Sequence, residues 1–422
     1  MILLLFYLLS ILSWMKGKRA ISLVFLYAAI TNGFNLKIIA TNYDLTYLSF
    51  AFGTYAVFSY LRKKGRKVFV MNVENCVVWL YFFLAIHFLA TVFLSIDTLK
   101  FSFIVFRQWG LISIFLLFRN FSVKEIDLAL KWIFLITIVW LILYYLQLVG
   151  IDLFIEERFI TSFKRNTPYL SIFFAIYAFY NFKRKEKWLL ILPFLWTIVT
   201  SGSRGALTGL ILSFVVFYAI MKKSRQILII GLIFFFGQTY ITKFLSNETF
   251  SRNGEMSFLE ELKNGFNTDY KHFHGVNLDG TFAYRTLYLS ERIDYLLNHP
   301  QNIPFGVGSI YETSPNNYLH FFIQHSGRIE TDDLFWAAPL LRYGFTGISL
   351  YIIFFFSYFR FFAHQNLNDK TIKIGSIFFL FLLFTSMNTW SFTIVPNIMV
   401  MGMYYYKAKN SRSLYIASGT IK

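Results

Sequence analysis

Several arginines occupy positions in the sequence where a positive charge needs a chemical reason. Arg204 lies in Thr200-Ser-Gly-Ser-Arg-Gly-Ala206, where one apolar segment ends and the next begins. Ser203 is a suitable N-cap for the second helix, whose free amides would bind an anion. Because a cation in the first turn opposes the helix dipole, Arg204 suits an anion-binding site better than it suits helix stability. The alternative interpretation is an arginine that anchors the helix at a membrane interface.

Two further groups of basic residues indicate the same chemistry. Arg158, Lys164 and Arg165 lie in a short polar segment between apolar runs. They either pair with the two glutamates that precede Arg158 or bind an anionic substrate. Arg107 lies inside an apolar run, about 9 Å from its outer end at 1.5 Å per residue. Because intramembrane arginines are rare and usually face a cavity or a partner, we expect Arg107 to bind substrate or to form a structural pair.

The most polar part of the chain runs from Asn247 to Asp333. It holds twelve of the 22 carboxylates, five of the seven histidines and six of the 40 Lys and Arg residues. Connections of this length are usually functional or disordered, and the recurring glycines, prolines and aromatics argue for order, with helix within 270–300. Its candidate binding residues are Arg285, Arg292 and Arg328. We interpret this loop as one half of an active site and the apolar bundle as the other half.

Two carboxylates, Asp332 and Asp333, end the polar segment and precede an apolar run that we expect to be helical. Adjacent aspartates often only mark a helix N-terminus. In the functional interpretation, one of them is a general base or orients a hydroxyl. His272-Phe-His274 lacks the wider ligand spacing of a zinc site, and the sequence has no glycine-rich phosphate loop or dinucleotide pattern. We therefore expect no metal and no cofactor.

Composition and charge placement indicate the fold class. The chain is 56% hydrophobic, has 53 Phe and is only 15% charged. Its apolar runs suit a bilayer core that takes roughly 20 helical residues. The densest clusters of Lys and Arg fall between alternate runs, which is the positive-inside pattern, so the net charge of +18 does not indicate a nucleic-acid partner. The single Cys76 excludes an intrachain disulfide.

The sequence therefore predicts an all-α polytopic membrane protein with about 12–14 transmembrane helices and one large, partly helical loop on the periplasmic or extracellular face. We expect its N-terminus outside and a basic cytoplasmic tail. Three parts are predicted: an N-terminal bundle over 1–246, the outer loop over 247–335, and C-terminal helices and tail over 336–422. The run 374–406 is interrupted at Pro396, which predicts two short spans or a re-entrant pair.

Four motifs resemble those of the O-antigen polymerase (Wzy-type) and O-antigen ligase superfamily, over most of the chain from about Phe101 onward. In the ligases, a histidine stands at the position that Asp333 occupies when counted back from Gly344, and this departure favours the polymerase. The motifs are Ser203-Arg-Gly205; Arg158, Phe163, Asn166 and Pro168, without the family's glycine; Arg285 followed by Pro300, Gly306 and Gly308; and Gly344-x-x-Gly347.

The resemblance implies an enzyme that joins undecaprenyl-pyrophosphate-linked oligosaccharide repeat units into O-antigen or capsular polysaccharide at the outer face of the bacterial inner membrane. It implies that Arg204 and Arg285 stabilise the leaving pyrophosphate, and that Asp333 orients or deprotonates the acceptor hydroxyl. A wider set would bind the substrate: Arg158, Lys164, Arg165, Ser203, Arg107, Arg292 and Arg328. The implied partners are the lipid-linked donor and acceptor, the bilayer, a chain-length regulator and a flippase.

Two alternative functions remain open at this point. An O-antigen ligase would transfer the finished glycan to lipid A core or to a protein, and the missing histidine argues against it. A polysaccharide flippase or exporter would also have many spans and buried arginines. The long outer loop argues against transport, because transporters of that kind have short loops and repeated halves, and the sequence shows no inverted repeat.

Overall fold

The computed structural model describes residues 2–31, 36, 46–64, 71–151, 153, 164–200, 204–228, 281–317, 334–387, 392 and 394–417. Within these ranges the chain is helical and contains no β-strand. Four of the described helices are long and apolar enough to cross a membrane: Val73–Phe93, Leu99–Asn120, Val123–Gln147 and Ala337–Ala363. The prediction of an all-helical polytopic membrane protein is confirmed for the described residues.

The helices follow the apolar runs of the sequence. In chain order they are α1 (Ile2–Met15), α2 (Arg19–Ile30), α3 (Thr46–Lys64), α4 (Val73–Phe93), α5 (Leu99–Gly110) with a 3-10 continuation (Leu111–Asn120), α6 (Val123–Leu148), α7 (Lys164–Asn181), α8 (Arg184–Thr200), α9 (Arg204–Ile220), α10 (Thr281–Asn298), α11 (Ala337–Ala363), α12 (Lys370–Thr385) and α13 (Val395–Ala417). The run 374–406 thus forms two helices, and Pro396 lies in the first turn of α13, where a proline's missing N–H costs nothing.

One end of the bundle, which we call the basic face, collects the Lys and Arg clusters. Arg19 and Lys63 both hydrogen-bond to Asn120, through its carbonyl and side-chain oxygens at 2.5 and 3.0 Å. Lys409 pairs with Glu74 at 2.7 Å, which brings the end of α13 to the start of α4. Basic segments far apart in sequence therefore meet at one end, as the alternation of charge along the chain predicts.

We call the opposite end the loop face. It contains the α4–α5 connection (Leu94–Thr98), the start of α9, the end of α12 at Ser386, and residues 299–317, which follow α10. The described part of the long polar segment, residues 281–317, ends at this face, and residues 247–280 and 318–333 lie outside the described residues.

The 3-10 continuation of α5 is held in the centre of the bundle by close helix approaches. A Cβ at Gly402 of α13 would lie 2.6 Å from a ring carbon of Phe118 and 3.0 Å from the carbonyl of Phe115. On its other side, a Cβ at Gly53 of α3 would overlap the Ser113 side chain. Phe115 and Phe118 are fully buried between these neighbours. The small residues let three segments pack at backbone distance, a common device in membrane bundles.

Candidate active site

The residues that the sequence analysis assigned to the site are described to different extents. The side chains of Arg107 and Arg292 are described. Lys164, Arg165, Arg204 and Arg285 are placed only as helix positions: the first two begin α7, Arg204 begins α9, and Arg285 lies in the second turn of α10. Ser203, Arg158, Arg328 and Asp333 lie outside the described residues.

Three segments that carry or adjoin predicted site residues meet at the loop-face end of α12. They are the start of α7, the start of α9 and the chain that follows Asp333. The backbone amide of Phe335, two residues after Asp333, donates a 3.1 Å hydrogen bond to the carbonyl of Ser386. The indole N–H of Trp336 donates to the Ser386 hydroxyl at 3.0 Å. The chain that follows Asp333 is therefore fixed to the end of α12.

Helix α9 packs against the same end of α12. A Cβ at Gly209 would lie only 2.7 Å from a methyl carbon of Thr385, the last residue of α12. Arg204 precedes Gly209 by five residues, or about 7.5 Å along the axis at 1.5 Å per residue. The start of α9 therefore lies beyond Thr385, further towards the loop-face surface.

Helix α7 brings a second basic segment to this level. The ring centroids of Phe173 on α7 and Phe378 on α12 lie 5.1 Å apart. From this contact, Arg165 is about 12 Å towards the loop face and Thr385 about 10.5 Å, at 1.5 Å per residue. The start of α7 and the end of α12 thus lie at one height, and the start of α9 lies about 7.5 Å beyond them on the loop face.

Helix α10 covers the chain that follows Asp333. Leu289 packs against Leu334 and Ala337, and further along the helix Tyr295 and Leu296 pack into a cluster with Leu341. Arg292 lies between these contacts and is fully buried. Arg285 stands one helical turn before Leu289. The structure therefore brings the helix that carries two predicted arginines over the chain that begins at Leu334.

Next to α10, the broken helix α11 and the loop of residues 303–308 exchange backbone hydrogen bonds. Gly344 has φ 59° and ψ −160° inside α11, and this break releases backbone groups on both sides. The amides of Phe345 and Thr346 donate to the carbonyls of Ile303 and Pro304 at 2.9 and 3.0 Å. In return, the amides of residues 307 and 308 donate to the carbonyls of residues 341 and 342 at 3.0 and 3.2 Å. The glycines at 306 and 344 permit the close approach, since a Cβ at either would overlap the opposing backbone.

Arg342 fixes the same loop from inside. Its side chain is fully buried, and its Nε and Nη2 donate to the carbonyl of Ile310 at 3.1 and 2.9 Å. Arginine presents donors in a rigid fork, which suits this paired geometry. The sequence predicted no role for Arg342, so this positioning role comes from the structure alone.

A second anchor comes from the α4–α5 connection. Asp97 is only 2% exposed and accepts hydrogen bonds from the amide of Tyr311 at 3.0 Å, the hydroxyl of Ser314 at 2.5 Å and the amide of Thr98 at 2.7 Å. Next to it, the Thr91 hydroxyl accepts from the amide of Ser309 at 2.8 Å. These residues tie the loop after α10 to the N-terminal half of the bundle.

His87 completes the anchor one turn below Thr91. Its Nε2 lies 2.7 Å from the carbonyl of Phe305, and its Nδ1 lies 3.3 Å from the Ser309 hydroxyl. Because a carbonyl can only accept, Nε2 carries a proton and donates. The sequence draws attention to the five histidines of the polar segment, whereas His87 gives no signal there. It lies on α4 and contacts the loop after α10.

Arg107 is buried, as predicted for an arginine inside a span, and is 6% exposed. It donates to the Thr46 hydroxyl, and its guanidinium lies 4.0 Å from the centre of the Tyr47 ring. Both partners belong to the start of α3. Trp109, two residues later on the opposite side of α5, contacts Phe335 with ring centroids 5.7 Å apart. Arg107 therefore lies across α5 from the end of α12.

No group of three or more His, Cys, Asp and Glu residues in the described ranges could hold a metal ion.

Comparison with known families gives one match. Residues 188–352 match the family model described as O-antigen ligase, a range that covers α8, α9, α10 and the broken helix α11 as far as residue 352. No curated protein matches the chain. The match supports the O-antigen polymerase and ligase superfamily and an O-antigen ligase or polymerase type of function in cell-surface polysaccharide assembly. Together with the four membrane-length helices, it indicates a bacterial membrane protein.

Proposed function

We propose that this chain is a polysaccharide polymerase that joins lipid-linked oligosaccharide repeat units on the loop face of the bundle. The observation that carries the proposal is the meeting of α7, α9 and the chain after Asp333 around the end of α12. The first two segments carry Arg165 and Arg204, and the third directly follows the candidate base. The basic face would be cytoplasmic by the positive-inside pattern, which puts the reaction at the outer surface of the inner membrane.

In the proposed reaction, a hydroxyl of the incoming repeat unit attacks the anomeric carbon of the growing chain. The bond from that carbon to the pyrophosphate oxygen breaks, and the electron pair leaves with undecaprenyl pyrophosphate. The hydroxyl proton passes to Asp333. The leaving group carries the largest charge in the reaction, so fixed guanidiniums lower the barrier most if they bind the charge that develops on it.

We assign Arg204 and Arg285 to the leaving pyrophosphate, because both are arginines and planar guanidiniums match phosphate oxygens in a two-pronged geometry. Helical spacing supports Arg285 for this role: positions 285, 289 and 292 fall on one face of α10, and Leu289 on that face contacts Leu334. Arg158, Lys164, Arg165, Ser203, Arg292 and Arg328 would bind the second pyrophosphate or the glycan.

The first test is the surface glycan ladder of cells that carry Arg204→Ala, with protein level checked by blot. Loss of one donor to a developing charge typically costs roughly 10²–10³ in rate, so we expect the ladder to collapse to a single repeat unit. Arg225→Ala is the matched control, since it removes an exposed arginine from the basic face. A normal ladder in Arg204→Ala would refute the assignment and leave an interface anchor as the role of this residue.

A second pair of variants tests the base. Asp333→Ala is expected to abolish elongation while Asp332→Ala retains it, because only one of two adjacent carboxylates can face the acceptor hydroxyl. Equal effects of the two substitutions would contradict the assignment of Asp333 and favour a helix-terminus role for both.

The ligase is the second candidate, because the matching family model carries that description. A deletion strain separates the candidates through its lipid-linked intermediates. Loss of a polymerase leaves single repeat units on the surface lipid, whereas loss of a ligase leaves long chains on undecaprenyl pyrophosphate. Loss of a flippase leaves units trapped on the cytoplasmic side, and that outcome would contradict both enzymatic functions.

A further inference from the structure

A cationic cleft opens on the basic face, at the opposite end of the bundle from the proposed reaction. It has a volume of about 550 Å³ and is lined by Trp14, Arg19, Tyr55, Ser59, Arg62, Lys63 and Asn120. The volume is within the roughly 300–1,000 Å³ typical of small-ligand sites. Its lining contains three cations and no carboxylate.

The cations of the cleft have no acidic partner in the part of the chain that the structure describes. Arg19 donates to the carbonyl of Asn120, and its guanidinium lies 5.7 Å from the centre of the Trp14 ring. Lys63 donates to the side-chain oxygen of Asn120 at 3.0 Å. Arg62 is exposed at the rim. Neutral acceptors thus orient two of the cations without neutralising them, so their charge is available to a ligand.

The cleft also has a narrow inner extension, which Arg119 lines. The Arg119 guanidinium lies 4.7 Å from the centre of the Tyr60 ring, and its Nη1 is buried without a hydrogen-bond acceptor among the described residues. A buried donor without an acceptor is costly. The charge of this guanidinium adds to the positive potential at the inner end of the cleft.

The surroundings of the cleft indicate a lipid rather than a soluble anion. Tyr55 lines the cleft and is 59% exposed, and Phe58, one turn along α3, is 58% exposed. Leu12 on the neighbouring helix α1 is 50% exposed. This apolar surface runs from the cleft along the membrane-facing sides of α1 and α3, where an acyl chain could lie. Basic pockets between transmembrane helices on the cytoplasmic side are known to bind anionic headgroups.

We propose that the cleft formed by Arg19, Arg62, Lys63 and Trp14, with Arg119 at its inner end, binds the phosphate headgroup of an anionic phospholipid in the leaflet at the basic face. The phosphate oxygens accept from the guanidiniums and the ammonium group, and the acyl chains lie against Tyr55 and Phe58. The site is separate from the loop-face reaction and does not depend on it.

The test uses the purified full-length protein in a neutral detergent, titrated with short-chain phosphatidylglycerol. The melting temperature is followed, and bound lipid is counted by native mass spectrometry. Phosphatidylcholine of the same chain length tests the headgroup charge, and inorganic phosphate tests whether a free anion suffices. We expect only phosphatidylglycerol to bind and to raise the melting temperature. Equal stabilisation by inorganic phosphate or by phosphatidylcholine would overturn the lipid proposal.

Charge-neutralising variants locate the site. Each cation near an anionic lipid is worth roughly a five-fold change in affinity, so Arg62→Gln/Lys63→Gln is expected to weaken phosphatidylglycerol binding about 30-fold. The matched control, Lys183→Gln/Lys185→Gln, removes two exposed charges elsewhere on the basic face and is expected to change binding less than about two-fold. Equal losses in both variants would show a diffuse charge effect and overturn the site.

A single variant keeps the test decisive if the double variant does not fold. Arg62 is exposed and makes no side-chain hydrogen bond or ion pair with the described residues, so Arg62→Gln alone is expected to leave the packing intact. It should weaken phosphatidylglycerol binding about five-fold. Unchanged binding in this variant would overturn the role of Arg62 and the cleft as proposed.

Discussion

Asp97 offers the sharpest test of how the loop face is held together. The substitution Asp97→Ala removes the acceptor of two hydrogen bonds that cross from the α4–α5 connection to residues 309–317. A hydrogen bond to a charged acceptor is worth about 1.5–3 kcal/mol. Two of them would give about 3–6 kcal/mol if they were additive, but bonds that share one carboxylate do not add fully, so we expect a loss of about 2–3 kcal/mol.

This loss should appear as local opening rather than global unfolding, because the helices of the bundle keep their own contacts. At about 1.4 kcal/mol per factor of ten, backbone amides in 309–317 are expected to lose about 30- to 150-fold of their protection from hydrogen exchange. Hydrogen–deuterium exchange with mass spectrometry measures this peptide by peptide. Thr91 should still hold Ser309 and limit the opening.

Asp369→Ala is the matched control for this experiment. Asp369 is also an aspartate that accepts two backbone hydrogen bonds, from Thr371 and Ile372, but it caps α12 on the basic face. Its loss should speed exchange only at the start of α12. Unchanged protection of 309–317 in Asp97→Ala, or a loss spread evenly over the protein, would refute the proposed anchor.

Three further comparisons test the packing by the effect of substitutions on the melting temperature. Gly344→Ala should destabilise more than Gly17→Ala: both glycines have positive φ, but a Cβ at 344 meets the carbonyl of residue 303 at 2.5 Å, whereas a Cβ at 17 meets nothing within 4 Å. Arg342→Lys should cost about 1–3 kcal/mol, because a lysine cannot reproduce the paired donation to one carbonyl. Lys409→Ala should cost about 1–3 kcal/mol and Lys407→Ala less than about 1 kcal/mol, because the first leaves a buried carboxylate and the second a half-exposed one.

Each of these comparisons has a clear contradicting result. Equal melting temperatures for the two glycine variants would show that the loop does not constrain the broken helix. An Arg342→Lys variant as stable as the parent would show that the paired hydrogen bonds contribute nothing. A larger fall in melting temperature for Lys407→Ala than for Lys409→Ala would contradict the expectation that the more buried carboxylate costs more to leave unpaired.

The sequence was sufficient to predict the helical bundle, because long apolar runs and the placement of Lys and Arg are local signals. It also predicted helix in the polar loop, and α10 confirms that. Burial of Arg107 followed from its position inside an apolar run. Its partners, the hydroxyl of Thr46 and the ring of Tyr47, carry no charge and so gave no signal.

The contacts that fix the loop face could not be predicted, because they join residues far apart in sequence and have no spacing pattern. Asp97 was the one available signal: it is the only carboxylate in the short connection between α4 and α5. His87 and Arg342 look like isolated polar residues in apolar runs. The glycines at 306 and 344 were noted only as parts of motifs, and their shared reason, close backbone contact across the broken helix, required the structure.

The separation of the two halves of the Asp97 anchor has a consequence for biosynthesis. Asp97 and Tyr311 are 214 residues apart. At about 5–20 residues per second, the ribosome needs about 10 to 40 s to make the chain between them. During this time α4 and α5 enter the membrane. Asp97 remains hydrated, because the Tyr311 amide and the Ser314 hydroxyl that later donate to it have not yet been made. The Asp97 anchor can therefore form only after residue 311 has been made, and a chain that stops before residue 311 is inserted in the membrane without it.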